Sequence, residues 1–425
     1  MMRSMFAGVS GLKNHQTRMD VIGNNIANVN TVGFKASRVN FQDILSQTLQ
    51  GASSGQGVRG GTNPMQVGLG MGLASIDTLF TDGSFQPTGK QTDLSIQGSG
   101  FFVLSDGVNQ VYTRAGAFDF DNQGNFLVPG TGYKVMGWKA DATGVIDTNA
   151  PVENLVVPVG TAMPAKVSSS VTYANNLSAS ATAGVTSQVP ASIDVYDSQG
   201  NAYNLGGTFH KTAANTWEFT PNPTIVDAKS NTIANVVTSP AAGVPFTINF
   251  NADGSFNTSS AGTITINPAV GPYAGAGTFS ITPHFDTMTQ YGGESTAQAV
   301  DRDGYAQGTL ESNTIDTDGI ITGRFSNGQS QALGRVALAT FNNPTGLSKV
   351  GDNLYSQSNN SGLAQVGPAN SGGRGKFNPG SLEMANVDLA QEFSNMIITQ
   401  RGFQANSKII SVSDEMLQEL ANLKR

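Results

Sequence analysis

The sequence predicts a mainly β fold with α-helical termini, in which discontinuous nested β domains stand on a coiled-coil-like base made by the N- and C-terminal helices. Three observations point there. Apolar residues recur at seven-residue spacing at both ends, one turn motif recurs through the middle, and glycine is abundant while charge is scarce. At 425 residues the chain exceeds one ordinary core, so two or three domains are expected. Charged residues make up 12%, about half the roughly 25% usual for soluble domains, while 51 residues are Gly and 22 are Phe. Glycine and asparagine reach the positive φ angles that tight hairpins need, and the phenylalanines supply cores that a disordered chain lacks.

Near the N-terminus, Met5, Leu12, Met19 and Ile26 stand seven residues apart, with Val9, Ile22 and Val29 at the intervening steps. Near the C-terminus the spacing recurs at Leu389, Met396, Phe403, Ile410 and Leu417, with Phe393 and Ile397 beside it. A second series, Ile409, Val412, Met416, Leu420 and Leu423, widens that stripe. Such spacing marks a helix whose seam packs against another helix, so these residues are the candidate assembly contacts. Asn386 or Asp388 caps the second helix, Gln391 and Glu392 fall in its first turns, and Lys424 and Arg425 sit where a helix C-terminus favours positive charge. Gly8, Gly11 and Gly23 each weaken the first helix by roughly 0.5–1 kcal/mol relative to Ala, yet let another helix approach closely. That helix is expected to be weak alone and firm once packed.

A glycine-rich run between residues 50 and 73 reads as a linker or extended arm. Beyond it, Phe120 to Phe126, Tyr196 to Gly200, Phe250 to Phe256 and Ile315 to Ile320 share one plan: an apolar residue, Asp or Asn, then turn residues with Gly. These read as hairpin corners in which Asp side chains fold back on the backbone. The stretch from about 165 to 295, poor in charge, reads as a domain inserted into another. The expected division is an N-terminal helix over 1–30, an arm over 31–73, an inner β domain over 74–160 plus 296–375, an inserted outer β domain over 161–295, and a C-terminal helix over 376–425.

Candidate chemistry is sparse. The net charge of −7 leaves no basic stripe for nucleic acid, and the absence of cysteine removes disulfides and thiol metal sites. Asp119 to Gly124 begins like a calcium loop but reaches Gly130, not Glu, at the twelfth position. His15, His210 and His284 lack the paired spacing of a zinc site. Gly98-Ser99-Gly100 is not a nucleophile elbow, and the glycine-rich run lacks the Lys of a phosphate loop. No enzyme signature, cofactor site or metal site is expected. Met1 to Leu12 has no continuous apolar segment of a signal peptide, and no run long enough to insert in a membrane occurs.

Three stretches carry a resemblance. Asn24-Asn25-Ile26-Ala27-Asn28-Val29-Asn30-Thr31-Val32-Gly33-Phe34-Lys35 resembles the N-terminal signature of bacterial flagellar rod and hook proteins. Gln97 to Val103, followed by Tyr112-Thr113-Arg114-Ala115-Gly116-Ala117-Phe118, resembles their shared β domain. Val387 to Ala390, and Gln400 through Lys408, resemble their C-terminal helix. The inserted region, with Val195 to Asn201 and Met288 to Gly293, is similar to the outer domain of the hook branch, which separates it from the shorter rod proteins.

The resemblance implies a self-assembling subunit, exported without a cleaved signal peptide through the flagellar type III apparatus. It implies a curved extracellular tube, whose terminal helices line the channel and which passes torque from rod to filament as a universal joint. The partners implied are other copies, the distal rod protein, the hook cap protein and the hook–filament junction protein. Cysteine crosslinking, used by some of the family, is not implied here. A rod subunit would instead form straight polymers, and a secreted glycan-binding protein would need an aromatic platform that Trp138 and Trp217 do not suggest.

Overall fold

The computed structural model describes residues 2–55, 60–157, 160, 162–184, 187–226, 232–239, 244–268 and 275–422. Part of the glycine-rich run (56–59) and Leu423, Lys424 and Arg425 lie outside the described residues. Two helices, α1 (Met2–Ala27) and α2 (Leu389–Asn422), bracket a chain that is otherwise strands and turns. Two compact units divide it: residues 1–159, 313–323 and 331–425 form the first, and 160–312 with 324–330 the second.

The first unit contains both helices. α1 stops where Asn28, Asn30, Thr31 and Gly33 leave the helical pattern, three residues short of the expected boundary. The following segment differs from the expected linker. Ser37–Asp43 pairs antiparallel with Met71–Thr78, and Ser46–Gln50 pairs with Met65–Gly68, so the arm is a two-tier hairpin. Its strands contain β-branched and aromatic residues such as Val39, Phe41, Val67 and Ile76, which outweigh the glycines. The expected C-terminal helix likewise begins later than 376. Lys376–Pro379 pairs with Leu94–Gln97, and Ser381–Glu383 pairs with Phe85–Pro87, before α2 starts.

The β part of this unit is buried on both faces of the strand Phe101–Ser105, where Phe101, Phe102, Val103 and Leu104 are all inaccessible. Phe101 and Val103 join Tyr112, Trp138, Phe341 and Tyr355 on one side. On the other, Phe102 stacks on Phe377 and meets Phe118 edge-on, at 5.6 and 4.8 Å between ring centres. A continuous apolar run with layers on both sides is the pattern of a central strand.

The second unit contains a six-stranded and a five-stranded sheet. Their inner residues form a shared core around Trp217, Tyr173, Tyr203, Phe209, Phe219 and Phe285, arranged as a β-sandwich. Alternation is clear in Val189–Tyr196, which buries Ala191, Ile193 and Val195 and exposes the residues between. The turn corners follow the expected chemistry. Asp121, Asp197 and Asp316 each accept two backbone N–H groups, at residues two and four further on. Backbone hydrogen bonds hold these carboxylates' neighbours in place, so the calcium-like Asp119 to Gly124 run is a hairpin corner.

Candidate functional site

The candidate site is the pair of terminal helices and the loops that hold them. α1 and α2 run antiparallel. A Cβ at Gly8 would meet Ile410 at 3.3 Å, one at Gly11 would meet Asn406 at 2.6 Å, and one at Gly402 would meet the His15 ring at 2.7 Å. Further along, Arg18 Nη2 donates to Asn395 Oδ1 and Asn25 Nδ2 to Glu392 Oε1, at 3.5 and 3.4 Å. This seam consists largely of small and polar side chains, with Ile409 and Ile410 against Gly8. Thr399 and Ser413 are the buried residues of α2, and Thr399 returns its hydroxyl to Asn395 O of its own helix.

The seven-residue stripes therefore do not simply face each other, as the spacing predicted. Ile22 is buried, while Met5, Leu12, Met19, Ile26, Met396 and Ile410 are half-buried. Val9, Leu389, Phe393, Ile397, Phe403, Leu417 and Leu420 are exposed, with Phe393 51% and Ile397 58% accessible. Glycine and asparagine occupy the seam because they allow close backbone approach; the larger apolar residues are displaced to its flanks. Of the two proposed caps, Asp388 is the one at the helix start: its Oδ1 accepts the Ala390 and Gln391 N–H groups at 2.9 and 3.2 Å.

α1 also lies against the arm. Asn14 Nδ2 donates to Met71 O at 2.6 Å, and the His15 ring meets Phe41 edge-on at 6.0 Å. Burial and the neighbouring Arg18 cation hold the His15 imidazole below its ordinary value, and its Nδ1 has no hydrogen-bond partner. Burial acts the other way on Glu392, raising its carboxyl above the usual range.

The signature residues occupy the junction between helix and β structure. Asn25, 1% exposed, imitates a strand neighbour for Ser37: its Nδ2 donates to Ser37 O and its Oδ1 accepts Ser37 N, at 2.8 and 3.0 Å. Asn24 and Asn28 bond to each other, and Thr31 donates to Asn28, closing the turn after the helix. Ala27 is the last residue of α1. Gly33 has φ +68°, and a Cβ there would lie 2.4 Å from the Ala115 nitrogen, which explains glycine at this position. Phe34 is buried beneath the Lys349 ammonium, 5.4 Å from its ring centre.

Two residues tie this junction to the start of α2: Asn386, which the sequence offered only as a helix cap, and Glu383, which sequence reading missed. Asn386 accepts the Ala36 N–H and donates to Leu79 O and Thr81 Oγ1, at 2.8, 2.8 and 2.9 Å. Glu383, wholly buried, pairs with Lys35 Nζ at 2.5 Å and Arg114 Nη1 at 3.3 Å. Its Oε1 also accepts the Gly83 N–H, and its backbone carbonyl accepts Gly33 N–H. Burial and the Arg114 cation push the Lys35 ammonium below its ordinary value, against the pull of Glu383. Both cations lay in stretches singled out from sequence; two unmatched cations in apolar surroundings are the signal that a carboxylate should join them.

Other features are not organised as sites. Trp138 and Trp217 are buried, so neither offers a glycan platform. Among the described residues no group of three His, Cys, Asp or Glu side chains is placed to hold a metal, and no helix is long and apolar enough to cross a membrane.

Comparison with known proteins follows the same segments. The chain matches the family models "Flagella basal body rod protein" over 5–35, "Flagellar hook protein FlgE/F/G D1 domain" over 95–172, "Flagellar basal body protein FlaE D2 domain" over 168–305 and "Flagellar basal body rod FlgEFG protein C-terminal" over 378–423. It is 43% identical to the flagellar hook protein FlgE of Borreliella burgdorferi and 45% identical to that of Treponema pallidum, each covering 100% of both chains. It is 33% identical to the flagellar basal-body rod protein FlgG of Bacillus subtilis, again across 100% of both. The crystal structure of the Helicobacter pylori hook protein FlgE2 shares the fold at a TM-score of 0.53 and 15% identity, over 70% of this chain and 100% of that one. With full-length identity to hook proteins, the D1 and D2 modules between, and rod-type segments at both ends, the chain belongs to the flagellar hook protein family.

Proposed function

We propose that the chain is the structural subunit of a hook: it polymerises into a curved, flexible tube that passes torque from rod to filament as a universal joint. The observation that carries this is the distribution of exposed apolar residues on α2. Leu389, Phe393, Ile397, Ile398 and Phe403 are exposed in its first half, and Ile409, Val412, Met416, Leu417 and Leu420 in its second. At about 100° per residue, Leu389, Phe393, Ile397 and Phe403 fall on one side of the α1-facing stripe, and Ile398, Ile409, Val412 and Met416 on the other. An isologous dimer would cover one flank and leave the other in water. Heterologous contacts, in which one flank meets the opposite flank of the next copy, cover both and leave the assembly open-ended.

The terminal helices then line the export channel, and the β units form the outer layers. The division into helical base, arm, inner β domain and inserted outer β domain belongs to the same proposal, with the boundaries that the strand pairing gives. So do the partners: the distal rod protein, the cap protein, the hook–filament junction protein and the type III export apparatus, which would deliver the chain to the cell exterior without a cleaved signal peptide. The subunit's role is mechanical and it catalyses no reaction.

Ile397→Asp tests the reading, because the side chain is exposed and a charge there leaves the fold intact. We expect a protein with unchanged thermal unfolding that no longer forms tubes by electron microscopy. Normal tubes from this variant and from Leu417→Asp would overturn the assembly claim. Full-length identity to a rod protein favours one other reading, a straight rod, and the curvature of the same tubes distinguishes the two.

A further inference from the structure

Two cations and a carboxylate are buried together where the chain leaves α1 and approaches α2. Lys35 and Glu383 are fully buried and Arg114 nearly so. Such a trio is a poor source of stability, since desolvating three charges offsets most of their attraction and an apolar trio often does as well. What it supplies is direction. Lys35 reaches on to Thr81 O, and Arg114 to Ile96 O and Gly98 O, at 2.6, 3.2 and 2.7 Å. Asp82 stands 3.6 Å from Arg114 on the open side. Each bond fixes an angle in a way apolar packing does not. The helix seam, built largely from glycine, asparagine, threonine and serine with Ile409 and Ile410 at one end, has less apolar area than a leucine-packed pair with which to fix its own direction.

The geometry points to Glu383 as a positioning residue for assembly. It holds the exit of α1 and the approach to α2 so that the two apolar flanks meet neighbouring copies. This inference rests on the polymer reading above.

Three full-length chains test it: wild type, Glu383→Gln, and Lys35→Met/Glu383→Gln. The single variant leaves Lys35 without a carboxylate and Arg114 with only Asp82, one positive charge in excess, and is expected to lower the unfolding temperature. The double variant restores charge balance, leaving Arg114 with Asp82, and is expected to recover that temperature. Positioning predicts that the double variant still needs about tenfold more protein to polymerise, and that monomer amides of Gly33, Ala36 and Ser37 exchange about tenfold faster while those of Phe101–Ser105 are unchanged. Recovery of polymerisation and exchange together with stability would make the cluster ordinary structure and overturn the inference. If wild type itself forms no tubes, the polymer reading falls and the assembly role falls with it; normal wild-type tubes with unchanged exchange in the double variant overturn the inference alone. Should Glu383→Gln fail to fold, the double variant alone is compared with wild type, with the same expected split between stability and assembly.

Discussion

At the residue scale the family-like motifs acquire physical reasons. Gly33 stands in the left-handed region with Ala115 backbone where a side chain would be. Gly33→Ala is therefore expected to cost the first unit about 2 kcal/mol or more, from backbone strain plus displaced neighbours, read as a lower urea midpoint. Tyr173 offers the opposite case. Its hydroxyl is buried among aromatic rings with no hydrogen-bond partner, and burial raises the phenol far above its ordinary value. Tyr173→Phe removes an unsatisfied polar atom without changing shape, so the second unit should gain about 1 kcal/mol. A loss of stability would mean the hydroxyl has an unseen partner such as water. Neither case was legible from sequence. A motif names the glycine but not what fills the space beside it, and a tyrosine in an alternating strand looks the same whether its hydroxyl is bonded or not.

At the element scale, the seven-residue spacing correctly announced two helices but not their mutual face. Spacing measures where apolar residues recur; it does not weigh them against glycines that let backbones touch. The seam went to Gly8, Gly11, Gly402 and Asn406, and much of the apolar stripe went outward. Gly11→Val should thus loosen the helix pair by displacing Asn406 from its bond to Gly402 O, seen as lost amide protection across both helices while the strands stay protected. The pair should also respond to acid through His15, which faces Arg18 on its own helix, Phe41 on the arm and Gly402 on α2. Its folded value lies below 6.5, so in the window just under 6.5 the unfolded chain binds a proton that the folded chain does not. Stability therefore rises with pH through that window and is lost as pH falls, and His15→Gln should flatten the dependence. The arm shows the converse failure of sequence reading. Its glycines suggested a linker, but cross-strand partners such as Val39 and Ile76 lie 37 positions apart and no local pattern announces their pairing.

At the scale of the whole molecule, two cores imply two separable stabilities. Phe219 is fully buried among the aromatic rings of the second unit, and Phe219→Ala should cost that unit about 3–5 kcal/mol. Protection of Phe101–Ser105 in the first unit should stay at its wild-type level. The nested arrangement itself was legible, because a charge-poor stretch interrupts two β-rich flanks. Its edges were not, since residues 296–312 resemble both neighbours and only pairing assigns them. That pairing sets an order of events. Ala162 pairs with Thr309 and Lys166 with Tyr305, so the second unit begins and ends at one place and can close as soon as its own residues exist. The first unit must wait: Lys35 and Glu383 are 348 residues apart, and the strand before Glu383 arrives almost last. A finished second unit shortens that closure to roughly 200 free residues, which lowers its entropy cost by only about 0.5 kcal/mol. The insertion therefore contributes little to the first unit's stability. What it governs is timing, because the base that carries both helices is completed only after the rest of the chain has found its shape.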